Sequence, residues 1–253
     1  SRAVFLAFNK SIATTLQQRI PRGYLASTFH ALGFRALRES GIVESRVKVD
    51  GTKCRKILYN IMDYNDDDFR SVLRLVGLLK SSVHDLAYED INPRDLIEFH
   101  GLDFMNPTKS IQAALRVLKT STEQLDVIDF DDMLYLAVHL NARFDPVDWL
   151  FVDEAQDTNP IQVEIMSRLQ KPWGQVIEEA KVAFPGLKTT QSSTRIIAVG
   201  DPHQAIYGFR GADSNAMTNI AKRFNAVILP LSVSYRCPKA VVREAQKYLS
   251  QAL

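Results

Sequence analysis

The chain has 253 residues, 46% hydrophobic and 24% charged, an ordinary globular profile long enough for one large domain or a domain with an insertion. Its formal charge of +2 carries no strong electrostatic footprint, so any nucleic-acid surface must be local rather than global. No apolar run reaches the ~20 residues that span a membrane, and no signal pattern opens the chain; the expectation is an intracellular, cytoplasmic protein with no membrane partner.

In chain order, Ala3 to Phe8 is a short apolar run of strand type, followed by a helical pattern through Ile20 with Ser11 as its expected N-cap. Pro21-Arg22-Gly23 breaks that helix. Tyr24 to Thr28 reads as a second strand and Phe29 to Glu39 as a second helix. From Gly41 to Gln124 the chain is helix-rich, with apolar spacing at Val72, Leu75, Val76 and Leu79 and punctuation at Asn92-Pro93 and Asn106-Pro107. This stretch reads as a helical insertion between two halves of an α/β core, and its acidic Asp66-Asp67-Asp68 as a solvated helix start rather than a metal site. Strand-like runs resume at Trp149–Val152, Ile196–Val199 and Val227–Leu229, with a polar connection from Lys171 to Thr194 carrying a short helix at Gln175 to Ala183. Short apolar strands alternating with helices predict a parallel sheet covered on both faces. Cys54 and Cys237 form no CxxC pair and lack a His-rich neighbourhood; they read as reduced, partly buried thiols rather than zinc ligands.

Three segments carry chemistry. In Leu150-Phe151-Val152-Asp153-Glu154-Ala155-Gln156-Asp157, apolar residues deliver two adjacent acids to a strand end, where open α/β sheets bind ligands. An Asp there can hold Mg²⁺ and the neighbouring Glu can polarise an attacking water; an acidic strand end that only caps the next helix is the alternative. Gly200-Asp201-Pro202-His203-Gln204 ends another strand, with Tyr207, Phe209 and Arg210 just beyond. A Gln there can bond a γ-phosphate and the aromatics can stack on bases, although aromatics at this spacing are also common in cores. Ser234-Tyr235-Arg236 places an Arg shortly after a strand, as a phosphate sensor or a surface residue.

Taken together, these segments resemble the UvrD/Rep-like DNA helicases of superfamily 1A. Asp153 to Asp157 is similar to that family's Walker B motif, Gly200 to Ala212 to its motif III, and Ser234-Tyr235-Arg236 to its motif IV. Ala7 to Ala13 resembles motif Ia, Thr28-Phe29-His30-Ala31-Leu32 the Thr-Phe-His segment after it, and Asp129 to Leu134 the stretch ahead of the Walker B motif. The spellings lean towards the F-box-helicase-like or phage branch. The resemblance implies a RecA-like α/β fold, a P-loop NTPase motor. Residues 1–40 and 128–230 would be the two parts of the first motor domain, 41–127 a helical insertion, and 231–253 the start of the second motor domain.

It further implies that Asp153 holds Mg²⁺, Glu154 activates the water that attacks the γ-phosphate of ATP, Gln204 couples that phosphate to DNA, and Arg236 acts as an arginine finger. Tyr235 would stack near the adenine. Phe8, Asn9, Thr28, Phe29, His30, Tyr207, Phe209 and Arg210 would contact single-stranded or duplex DNA. Gln156 and Asp157 would tie the Walker B segment to its neighbours. The form of the Gln204 to Ala212 segment implies 3′→5′ movement on DNA, in replication or repair, with any loader protein unnamed by the sequence.

One departure from the family stands out: none of the 11 glycines is followed by Lys, so the Gly-Lys-Ser/Thr phosphate loop is not in this sequence. Its family position lies upstream of motif Ia, and the expectation is a truncated motor that by itself neither hydrolyses ATP appreciably nor unwinds DNA. Two other readings compete: a degenerate helicase-like platform for DNA or protein binding, and a metal-dependent nuclease using Asp131, Asp132, Asp153 and Glu154.

Overall fold

The computed structural model describes residues 2–82, 92–171, 194–204, 215–231 and 236–249. By its internal contacts the chain divides into two compact units, Ser1–Met217 and Thr218–Leu253.

The first unit is built on a four-stranded parallel sheet in the order β2-β1-β5-β6, where β1 is Ala3–Leu6, β2 Leu25–Ser27, β5 Trp149–Val152 and β6 Arg195–Ala198. Register pairs Val4 with Leu150 and Leu150 with Ile196, and likewise Leu6 with Val152 and Val152 with Ala198. Side chains alternate across a strand, so Val4, Leu6, Leu150 and Val152 share one face, and all four are buried. Phe5 and Phe151 occupy the other face, stacked with ring centroids 4.4 Å apart. Strand β6 pairs on one side only among the described residues, and Ile197 within it and Val199 just after it stand 42% and 47% exposed.

Helix α1 (Lys10–Arg19) is capped by Asn9, whose side chain accepts the Ile12 N–H. Ser11 was the expected cap, but the side chain two residues earlier reaches the N3 amide and sets the start. Thr28 caps α2 (Phe29–Glu39) in the same way through the Ala31 N–H. Helix α2 packs on α7 (Asp132–His139) at Gly33, where a Cβ would lie 2.2 Å from the Met133 carbonyl oxygen; only glycine allows that approach. Helix α8 (Pro160–Arg168) opens with a capping box between Asn159 and Gln162.

Between the halves of the sheet, β3 (Lys48–Val49) and β4 (Val127–Ile128) form a two-stranded parallel ladder at the root of the helical insertion. Above it stand α3 (Lys53–Tyr59), α4 (Phe69–Ser81), α5 (Pro93–Phe99) and α6 (Pro107–Glu123). The two Asn-Pro pairs are helix starts: Asn92 and Asn106 cap, and each Pro takes the first turn, where its missing N–H costs nothing. Val72, Leu75, Val76 and Leu79 line one stripe of α4, none more than 1% exposed, and pack with Leu58, Ala114 and Val117 into a core of the insertion's own. Each such side chain contributes about 1.5–3 kcal/mol by leaving water.

The acidic knot stands at a helix start, as expected, with Asp67 exposed and Asp66 half-buried, but its last residue is not solvated. Asp68 is 3% exposed and accepts bonds from the Met105 and Asn106 amides and the Ser110 hydroxyl, tying the start of α4 to that of α6. Burial pushes its pKa up, but those three donors outweigh it and hold the carboxyl below the ordinary carboxylate range.

Helix α9 (Ala216–Arg223) crosses the boundary between the units, and α10 (Lys239–Leu249) lies in the second. Val227–Leu229, expected as a strand, has no regular structure and is 75–83% exposed. An apolar run of strand type becomes a strand only against a neighbour, and none pairs with it among the described residues. The expected helix at Gln175 to Ala183 lies outside the described residues.

Candidate functional site

The sheet's carboxyl end gathers the site. The Asp153 N–H donates to the Leu6 carbonyl at 3.0 Å and the Ala155 N–H to the Val199 carbonyl at 2.9 Å, so the turn after β5 is pinned to both adjacent strands. Between these anchors Glu154 takes a left-handed backbone, φ 52° and ψ 44°, before a 3-10 turn over Ala155–Asp157. Asp153 and Glu154 are both exposed, while Ala155 and Gln156 behind them are buried.

Gln156 joins two segments far apart in sequence. Its Nε2 donates to Glu154 Oε2 at 2.7 Å, and its Oε1 accepts the Asp201 backbone N–H at 3.1 Å. A carboxylate only accepts and an N–H only donates, so these neighbours fix which way the amide points. Gly200 makes the approach possible: a Cβ there would stand 2.4 Å from Gln156 Oε1. Asp201 then accepts the His203 N–H at 3.0 Å and, through Oδ2, the Gln204 side-chain amide at 2.7 Å. Glu154 and Gln204 are thereby connected through Gln156 and Asp201. Asp157 Oδ1 is buried with no partner among the described residues; burial, and secondarily Glu154, pushes its pKa up.

Asp153 Oδ1 accepts the Glu154 N–H at 3.1 Å, its one hydrogen bond among the described residues. One exposed carboxylate at a strand end suits Mg²⁺, which keeps several waters and takes few protein oxygens. Among the described residues no cluster of three or more His, Cys, Asp or Glu side chains forms a metal cage.

Other expected site residues fall in different places. Phe8 is 37% exposed and Asn9 exposed beside the carboxyl end of β1. Thr28 and His30 are half-buried at the start of α2 beyond β2, with the Thr28 hydroxyl spent on its cap. Phe29 departs from the expectation of a DNA contact: it is 5% exposed and belongs to the core. Arg236 is exposed in the second unit, as is Cys237, which was expected partly buried. Tyr207, Phe209, Arg210 and Tyr235 lie outside the described residues.

Sequence reasoning missed a buried ionic node under the helical insertion. Lys80 Nζ lies 2.7 Å from both Asp129 Oδ2 and Asp132 Oδ1, with Ser121 Oγ at 3.1 Å and Cys54 Sγ at 3.2 Å. Lys53 Nζ reaches Asp132 Oδ2 at 2.8 Å and the carbonyls of Ser121 and Gln124. Both lysine side chains are at most 2% exposed. Burial alone would lower the Lys80 pKa, but the surrounding anions win and hold it above the ordinary lysine value. For Asp129, burial pushes upward and Lys80 pulls further down, leaving it below the carboxylate range. Cys54 is pushed up to about 11, chiefly by burial. Because Asp132 has each oxygen on a lysine, it is no free ligand for the metal that the nuclease reading requires.

The description of the UvrD/REP helicase N-terminal domain matches residues 5–225. The chain belongs to the UvrD/REP helicase family. The parallel α/β fold is accordingly the RecA-like fold of that N-terminal domain. Among curated relatives, the ATP-dependent DNA helicase PcrA of Leuconostoc citreum is 28% identical over 258 residues, covering 94% of this chain and 30% of the relative. The ATP-dependent DNA helicase Rep of Escherichia coli (strain K12) is 24% identical over 254 residues, covering 92% and 33%. The chain spans about a third of the length of these relatives. No described helix is long and apolar enough to cross a membrane.

Proposed function

We propose that this chain is the front motor segment of an ATP-dependent 3′→5′ DNA helicase, which couples ATP hydrolysis to movement along single-stranded DNA and unwinding of duplex. Residues 1–40 and 128–230 make the first motor domain, 41–127 its helical insertion, and 231–253 open the second. The observation that carries the reading is the placement of Asp153, Glu154 and Gln204 at the carboxyl ends of adjacent parallel strands, bonded into one network. That is where open α/β sheets bind nucleotides.

In this reading Asp153 holds the Mg²⁺ of Mg-ATP through its exposed carboxylate. When bound, the ion neutralises charge on the phosphate oxygens. Glu154, with Oε2 occupied by Gln156, has Oε1 to orient and deprotonate the attacking water. Gln204 reports the γ-phosphate to the segment whose Tyr207, Phe209 and Arg210 contact DNA in this proposal. Arg236 stabilises transition-state charge, and Tyr235 stacks at the adenine. Phe8, Asn9, Thr28 and His30 lie along the DNA path. The chain alone, with no Gly-Lys-Ser/Thr sequence to clamp the phosphates, turns over little or no ATP.

The test is steady-state ATP hydrolysis by the full-length protein with and without single-stranded DNA. Glu154→Gln is expected to lower kcat at least about 100-fold while ATP still binds; unchanged turnover refutes the reading. Unwinding of 3′-tailed but not 5′-tailed duplexes checks the polarity, and activity on 5′ tails alone overturns it.

A further inference from the structure

We infer that the outer end of the helical insertion is a docking site for a basic segment of a partner protein, an Arg or Lys side chain of which lies on the Tyr59–Tyr64 ring pair beside the carboxylates of Asp63 and Asp67. The inference goes beyond the ATPase reading and does not depend on it.

The insertion has two ends. The carboxyl ends of α4 and α6 reach the buried node, through Lys80 and Ser121. The opposite end is where Asp68 ties the start of α4 to the start of α6. The 13 residues of α4 set the two ends roughly 18 Å apart. At this outer end Tyr59 closes α3 and Tyr64 precedes α4, their rings stacked at 5.6 Å with planes 28° apart. The buried Phe69 supports both rings from beneath, at 5.2 and 5.3 Å. The two tyrosines are nevertheless 48% and 53% exposed, and Met105, whose N–H donates to Asp68, is 81% exposed. These side chains stay in solvent although the insertion has an apolar core of its own beside them.

Charge selects the occupant. From Tyr59 to Phe69 the chain has four Asp and no Lys or Arg, with Arg55 and Arg70 outside the segment. Lys56 is spent on Asp50 at 2.7 Å and Lys109 on Asp66 at 2.8 Å. Asp63 and Asp67 are exposed and have no ion pair among the described residues. Nucleic-acid affinity rests on cations that meet phosphate, and these two carboxylates repel it. A second copy of the same surface would bring like charges together. A guanidinium or ammonium is instead attracted both by the ring faces and by the carboxylates. Rings already held by Phe69 lose little freedom on binding, the property that makes tyrosine a frequent anchor at protein interfaces.

The test is fluorescence anisotropy with the full-length protein and a labelled peptide of alternating Arg and Gly; a Glu–Gly peptide and a blunt DNA duplex are the other probes. The Arg peptide is expected to bind, and Tyr59→Ala with Tyr64→Ala to weaken it about tenfold. Tyr59→Phe with Tyr64→Phe keeps the ring faces and should stay within about threefold of wild type. Asp63→Asn with Asp67→Asn should weaken binding about threefold and flatten its salt dependence. Should the alanine variant fail to fold, Asp63→Lys with Asp67→Lys carries the test: it should lose the Arg peptide and gain the Glu peptide. An Arg-peptide affinity that none of these substitutions moves overturns the inference. Failure of the full-length protein to bind the Arg peptide overturns it too, since the rest of the chain then occupies the ring pair. Duplex binding that falls in the alanine variant while peptide binding does not marks a nucleic-acid surface and likewise overturns it.

Discussion

Two pairs of acids in this molecule look alike in sequence and are handled in opposite ways. Asp129 and Asp132 are sunk beneath the helical insertion and charge-matched by Lys53 and Lys80. Asp153 and Glu154 sit exposed at the end of β5, with an amide and one backbone N–H as their partners among the described residues. The first pair is neutralised and has nothing left to offer a ligand. The second keeps its charge available for a cation and a water. The contrast teaches that a run of acids announces chemistry only where no cation has already claimed it, and that the buried pair serves to fasten the insertion to the core.

The comparison can be broken by experiments that ask where each pair acts. Lys80→Ala leaves Asp129 and Asp132 under-compensated in the interior and should cost about 3–5 kcal/mol in urea denaturation; a loss below 1 kcal/mol would mean that the node is not the fastening it resembles. The node also has an alkaline limit. The folded Cys54 thiol titrates near 11 against an ordinary value of about 8.5. Its protonated form is favoured in the fold, so its contribution is complete below about pH 8.5 and drains away as pH rises towards 11. The slope approaches about 1.4 kcal/mol per pH unit. Lys80, raised, holds its own contribution to still higher pH, whereas Asp129, lowered, loses its only in acid. Cys54→Ser should therefore flatten the loss between pH 8.5 and 11, and an unchanged profile would assign that limb elsewhere. Gly33→Ala forces α2 off the Met133 carbonyl and should cost about 1–3 kcal/mol by thermal melting. Smallest of all, Glu154→Gln should change stability by less than about 0.5 kcal/mol, because the new carbonyl still accepts from Gln156; a larger loss would give the exposed pair a structural role too.

Much of the sheet was legible because its information is local. Trp149–Val152 is apolar, short and bounded, and β5 occupies those residues. Phe29 to Glu39 follows a Thr that can cap it, and α2 has those bounds. The exposed acids and Gln204 were legible as candidates because strand ends are marked by the change from apolar to polar residues. What escaped depends on partners distant in sequence. Nothing around Lys53 or Lys80 distinguishes them from surface lysines, and the acids that pair with them lie 49 to 79 positions away. Asp68 looked solvated for the same reason, since its donors come from the start of α6. Val227–Leu229 erred the other way: a run with strand composition but no neighbour to pair with among the described residues.

The left-handed turn at Glu154 has a consequence for how this sequence can change. Three described non-glycine residues have positive φ; the other two are asparagines, the side chain best suited to that conformation after glycine. Glutamate is a poor choice there, disfavoured by about 1–2 kcal/mol. A glycine or asparagine at 154 would relax the turn, so random substitution followed by screening for thermal tolerance alone should recover those residues at this position. A descendant freed from the demand for turnover would drift the same way. Glutamate at 154 is thus a readable mark of use: its persistence in a lineage reports that the site is still working, and its replacement by glycine would be among the first traces of retirement.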